Sequence, residues 1–192
     1  VPGRSNVVKP AVRELRGRVA GFVNDPADLF NPPKADRTWR YIVLHHSAHE
    51  TGSYAQIDRE HRERLGTQGC GYHFVIGNGS GSPDGQVEVA TRWSDQMGGA
   101  HCRDAKSPEM NEYGIGICLI GDLEKKPPTA RQVEATRTLI SYLQARYDIP
   151  AEDIGTHRDF SGTKTACPGD HFPMAILETR ESVAKFSSLR AK

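Results

Sequence analysis

The strongest constraint on this chain acts at long range. An apolar run, Trp39-Arg-Tyr-Ile-Val-Leu-His45-His46, stops abruptly in imidazole. The residues able to complete a site with it lie most of the chain away, in Gly155-Thr-His157-Arg-Asp159-Phe-Ser-Gly-Thr-Lys164-Thr165-Ala-Cys167-Pro-Gly169. His45, His157 and Cys167 together offer two imidazoles and a thiolate, a donor set that suits zinc and leaves a fourth tetrahedral position open. The spacing is unlike any compact finger, so such a site exists only if a folded core assembles it. Taken singly, each residue has a plainer reading. His45 can cap a buried strand, Cys167 can be a buried thiol, and His157-Arg-Asp carries little by itself.

Composition sets the frame for that core. With 192 residues, 36% hydrophobic and 26% charged, the chain reads as one globular domain with an extension. That length buries a core without disulfides. Its 25 basic and 24 acidic residues leave a net charge of +1, with no electrostatic footprint for nucleic acid. Nor do basic residues interleave with aromatics as a single-strand binder requires. No apolar stretch approaches the length of a membrane span. An export signal, where the protein has one, is expected before Val1. Of the four cysteines, Cys118 lies in an apolar strand pattern and reads as a small buried hydrophobe. Cys70 and Cys102 either pair or remain free thiols.

Residues 1–36 carry scattered Pro and Gly around one short amphipathic stretch, Val12 to Val19, and read as an N-terminal extension. The catalytic domain is then expected over 37–192, entered through Asn31-Pro32-Pro33. Tyr41 to His45 reads as a buried strand. Ser53 with Gln56 forms a capping-box pattern ahead of a helix carrying Ile57, His61 and Leu65, stopped at Gly66. Tyr72-His-Phe-Val-Ile76 and Val87-Glu-Val-Ala90 read as hairpin partners, and Ile115 to Ile120 as a further strand. Thr129 with Gln132 caps a second helix, with Val133, Thr136, Ile140, Leu143 and Tyr147 on one face and Pro150 as its end. A last amphipathic helix is expected from Pro173 to Phe186. The pattern predicts an α/β fold, a single domain with a central mixed sheet flanked by helices and the zinc site at the sheet rim.

The histidines sort by geometry. His45 and His46 are adjacent on a strand, so they face opposite ways and only one reaches a given metal. His61 reads as packed on its helix, His171 as a surface residue, and His73 as structural because it points away from Tyr72.

Four segments in order now acquire a common meaning: Ile42-Val-Leu-His45-His-Ser-Ala, Gly71-Tyr72-His-Phe-Val-Ile, Asn111-Glu-Tyr-Gly-Ile115-Gly-Ile, and His157-Arg-Asp through Thr165-Ala-Cys167-Pro-Gly. Together they resemble the zinc-dependent N-acetylmuramoyl-L-alanine amidases of type 2, a family that includes peptidoglycan recognition proteins and phage lysozyme-like amidases. The resemblance covers roughly residues 38 to 177, and no single segment would carry it. It implies zinc as cofactor, with His45, His157 and Cys167 as ligands. Tyr72 falls where the phage and recognition-protein branches keep a tyrosine that hydrogen-bonds the zinc-bound water. Another branch uses a glutamate base at the position of Cys118, so the tyrosine branch matches better. Phage-type members carry lysine two residues before the cysteine ligand; here Thr165 stands there, as in recognition-protein amidases, and Lys164 precedes it. Either could stabilise the oxyanion, and Thr165 is the position the pattern favours. Gly98-Gly-Ala-His101 resembles the groove-lining segment, which makes His101 and Asn111 candidate substrate contacts. Asp159 is a candidate carboxylate orienting a ligand histidine.

The resemblance implies hydrolysis of the amide between N-acetylmuramic acid and L-alanine in peptidoglycan or muropeptides. A monomer acting outside the cell, in the periplasm or at the cell envelope is expected. Two rivals stand beside it: a recognition domain that binds muropeptide without cleaving it, and a zinc amidase acting on another N-acyl amide. Loss of the cysteine ligand marks the first of these in the resembling family, and Cys167 is present.

Overall fold

The computed structural model describes residues 12–17, 19–20, 26–65, 69–103, 106 and 108–178. Along the chain come a helical turn at 12–16 (α1), β1 (Val19–Ala20), β2 (Tyr41–His46), α2 (Tyr54–Leu65), β3 (Phe74–Ile76) and β4 (Val87–Val89). Then follow α3 (Thr91–Ser94), α4 (Glu109–Glu112), β5 (Gly114–Leu119), α5 (Ala130–Tyr147), β6 (Ile154–Thr156) and α6 (His157–Phe160). The strands form one mixed sheet in the order β1-β4-β3-β5-β2-β6. All neighbours are parallel except the β3–β4 hairpin. The α/β single-domain expectation is therefore met.

Strand alternation gives the two faces different chemistry. On one face Ile42, Leu44, Phe74, Ile76, Ile115, Ile117 and Leu119 join Ala135, Leu139, Ile140 and Leu143 of α5 in the main core. Each fully buried Leu or Ile there contributes about 1.5–3 kcal/mol. The buried stripe of α5 is broader than its simple periodicity suggests, because Leu139 and Tyr142 are buried while Val133 and Tyr147 pack only at its margin. The other face carries smaller clusters: Tyr54 and Ile57 of α2 cover Val75 and Cys118, and Val43 meets Cys102 and Met110. This thinner face, with room for polar side chains, is where the site forms.

Helix ends follow local chemistry. The Thr129–Gln132 capping box is complete in both directions, and α5 closes at Asp148 with φ 53°. At α2 the Ser53 hydroxyl accepts from Gln56 N–H at 3.3 Å, while the Gln56 amide turns instead to Glu60 at 2.9 Å. Leu15 and Leu29 lie in the main core, and β1 pairs with β4, so parts of the 1–36 segment pack on the sheet. Asp36 accepts from both Arg146 and Tyr147 of α5, at 2.8 and 2.9 Å. At the other end, Met174–Glu178 forms a 3-10 turn where a helix from 173 is expected; the remainder of that expectation lies outside the described residues. Cys70 and Cys102 are free thiols in separate clusters, Cys70 under α2 and Cys102 beside Val43, which answers the pairing question against a disulfide.

Candidate metal centre

Strand register brings the distant residues together. His45 is paired with Cys118 of β5, and Leu44 with Thr156 of β6. One residue beyond Thr156 stands His157, so two parallel strands deliver His45 and His157 to the same carboxyl end of the sheet, the usual place for sites in such sheets. Their ring centroids are 4.8 Å apart. Thr156 caps α6, and the Asp159 carboxylate accepts from Thr156 N–H and hydroxyl at 2.8 and 2.9 Å. Asp159 thus completes a helix cap through one of its carboxylate oxygens.

The third donor comes from the loop after α6. Arg158 donates to the Ala166 carbonyl at 2.8 Å and to Asp170 at 3.0 Å. His171 N–H donates to the Leu123 carbonyl at 2.8 Å, and Leu123 N–H in turn donates to His46 Nδ1 at 3.1 Å. His46 therefore braces the loop from the opposite face while His45 enters the site, as strand alternation requires. Cys167 Sγ lies 3.6 Å from His45 Nδ1, and the donor atoms of His45, His157 and Cys167 all fall within 4.8 Å of one another. Zinc at ordinary bond lengths in a tetrahedron separates a nitrogen from a sulfur by about 3.6 Å, so the donor set and its spacing fit that ion.

The electrostatics act in opposite directions at the two closest donors. Burial holds the His45 pKa well below the usual imidazole value, assisted by His101, His157 and His46, so the ring is neutral. Burial pushes the Cys167 thiol up to about 12, against the opposing pull of the His46 backbone N–H and Arg158. A cation must therefore displace a proton from that sulfur on binding.

Tyr72 packs its half-buried ring 5.1 Å from His45 and 5.8 Å from His61. Burial first, and then the thiols of Cys118, Cys167 and Cys70, drive its phenol pKa well upward, so the hydroxyl keeps its proton. Thr165 is half-buried and its hydroxyl oxygen accepts from Cys167 N–H at 3.2 Å; Lys164 is exposed. His61 is half-buried, with Nδ1 accepting from Gly71 N–H, and His171 is exposed. His73 is fully buried and bonded at both ring nitrogens, to Met97 O and Gly116 N.

Of the two groove candidates, His101 is buried and Asn111 half-buried. His101, 7% exposed, meets His45 Nε2 through its Nδ1 at 3.0 Å and the Gly114 carbonyl through its Nε2 at 3.1 Å. Asn111 accepts from the backbone N–H groups of His101 and Cys102 at 3.0 and 2.9 Å and donates to Cys102 O at 2.7 Å. The sequence reading missed this inner layer, and with it a second donor group, His45, His101 and Cys102. The available signal was the Gly114-x-Gly116 alternation, which leaves one face of β5 bare for a side chain to lie on.

Comparison with known proteins gives the chain its family. The family described as N-acetylmuramoyl-L-alanine amidase (Amidase_2) matches residues 35–170. Peptidoglycan-recognition protein LB of Drosophila melanogaster is 29% identical over 139 residues, 67% of this chain and 54% of that protein. An N-acetylmuramoyl-L-alanine amidase of Sus scrofa is 30% identical over 145 residues, 71% of this chain and 22% of that protein. The chain thus spans about half the length of the first relative and less of the second. Among solved structures, the endolysin N-acetylmuramoyl-L-alanine amidase LysCS from Clostridium intestinale URNW superposes with a TM-score of 0.65 at 25% identity, covering 85% of this chain and 95% of that one. The family match takes in both strand ends and the cysteine loop, and the chain belongs to the N-acetylmuramoyl-L-alanine amidase family.

Proposed function

We propose that this protein is a zinc amidase that cleaves the bond between N-acetylmuramic acid and L-alanine in peptidoglycan or muropeptides. The observation that carries the reading is the approach of Cys167 Sγ to His45 Nδ1 at 3.6 Å with His157 alongside, a set with an open fourth position. Zinc held by these three residues would supply Lewis acidity toward a carbonyl and water activation near neutral pH.

The remaining chemistry falls to the protein. Tyr72, its proton retained by burial, acts as a hydrogen-bond donor and not as a base. Thr165 spends its oxygen's lone pair on Cys167 N–H, which leaves its own proton to donate to the scissile carbonyl oxygen as negative charge grows there. Lys164, exposed at the rim, is suited to substrate carboxylates. The C–N bond breaks, the oxygen of water joins the lactyl carbonyl carbon, and of its two protons one goes to the released L-alanine amine and the other to the new lactyl carboxyl group. The catalytic unit in this reading is 37–192, a monomer, with 1–36 as its extension. A peptidoglycan substrate would place it outside the cell, in the periplasm or at the cell envelope; no helix among the described residues is long and apolar enough to cross a membrane.

The test is digestion of purified muropeptides followed by mass spectrometry, with zinc measured in the same preparation. Release of lactyl-terminated glycan and free stem peptide by a protein holding one zinc is expected. Cys167→Ala should lose metal and cleavage together. Intact muropeptide in the presence of zinc-loaded protein would reject this reading in favour of a binding domain or a different amide.

A further inference from the structure

We infer that His101 is a positioning residue that sets which nitrogen of His45 faces the metal, and so selects the outer donor group, with His157 and Cys167, over the inner one. The inference rests on the zinc reading above.

The logic runs outward from a backbone carbonyl. Gly114 O can only accept, so His101 Nε2 carries the proton in their 3.1 Å contact. A neutral His101 then has a bare lone pair on Nδ1. That atom sits 3.0 Å from His45 Nε2, so His45 Nε2 must be the donor. With its proton fixed on Nε2, His45 presents an unprotonated Nδ1, the atom that faces Cys167 Sγ. Ligand histidines in zinc sites commonly donate their other nitrogen to an oxygen acceptor. Here the acceptor is a second imidazole, itself anchored to the sheet.

The fold reserves a slot for this ring. A Cβ at Gly116 would lie 2.5 Å from His101 Cδ2, and one at Gly99 2.3 Å from the same atom. Neither position can carry a side chain while His101 stays in place. Asn111 holds the backbone of His101 and Cys102 by three hydrogen bonds. Cys102 Sγ also reaches His101 Nδ1, at 3.3 Å, which makes His45, His101 and Cys102 a rival donor group. A metal there would need the His45 nitrogen that carries the proton. The same hydrogen bond that prepares the outer group therefore disables the inner one.

The test measures zinc affinity by competition with a chromophoric chelator, alongside near-ultraviolet circular dichroism of each metal-free protein. His101→Phe fills the slot without an acceptor, and its zinc affinity should fall about 10–100-fold. His101→Asn, which returns a carbonyl oxygen near the Nδ1 position, should recover most of that loss, and Cys102→Ala should bind as the unmodified protein does. Histidine nitrogen NMR of the metal-free unmodified protein reads the tautomer directly and does not depend on any variant folding; His45 should be protonated on Nε2. Undiminished zinc affinity in a folded His101→Phe, or a His45 protonated on Nδ1, overturns the inference. So does loss of zinc in Cys102→Ala with retention in Cys167→Ala. Protein that takes up no zinc yet shows the Nε2 proton on His45 would reject the zinc reading while supporting the tautomer assignment.

Discussion

The two halves of the site are built on different principles. His45 stands on β2, while Tyr72 and His101 stand on loop backbone packed against the sheet: His45 is 1% exposed, and its partner His101 is wedged against glycines of β5 and of the preceding loop. His157, Thr165 and Cys167 follow the last strand on a one-turn helix and a loop, and all three are half-buried. The sheet-packed half is held by the β2 ladder at His45 and by close packing and hydrogen bonds at His101, which fix ring orientation before any ligand arrives. The loop half is tied by a few contacts from Arg158, Asp170 and residues 123–124. One half sets geometry, and the other closes on it.

Acid should break the sheet-packed half first, and this is the largest effect expected. Burial lowers the His101 pKa to about 4 and takes those of His45 and His73 well below the usual value. The unfolded chain, with histidines near 6.5, therefore binds protons that the folded chain refuses. Their neutral burial favours folding fully above that value, and the advantage is lost as pH falls toward the folded pKa values. His101 alone should account for about 3 kcal/mol between pH 7 and pH 4 at 1.36 kcal/mol per unit. Urea unfolding of metal-free protein across that range measures it, and His101→Asn should show a shallower decline. Equal slopes would mean that His101 is not buried as a neutral ring.

A slightly smaller effect separates chemistry from scaffolding within the same half. Tyr72→Phe keeps the ring that packs on His45 and removes only the hydroxyl. Its kcat should fall about 10²-fold with zinc retained. Unchanged turnover would make Tyr72 a packing residue alone. The smallest effects belong to the loop. Thr165→Val should lower kcat up to about tenfold, the loss of one neutral hydrogen bond. Lys164→Met should chiefly raise KM, by the equivalent of roughly 1 kcal/mol or less for an exposed charge. The reverse ranking in paired kinetic measurements would show that the lysine, not the threonine, turns inward.

Much of this protein was legible in its sequence because it is encoded locally. Apolar runs mark β2 and β5, Thr129 and Gln132 announce the start of α5, and the adjacency of His45 and His46 dictates that they part to opposite faces. The donor types of His45, His157 and Cys167 state their chemistry outright, and the family segments add their order. Elements made by contacts distant in sequence were not readable. Cys70 and Cys102 are an even pair on paper, yet the sheet sends them to different clusters. His101 reads as a groove residue from its segment, and the contacts of its ring with His45 and with bare glycine backbone exist only in the fold. The sequence by itself determined which atoms are available to bind and donate. Only the tertiary structure decided which of them meet, because hydrogen bonds act over about 3 Å and pair residues by strand register and burial rather than by position along the chain.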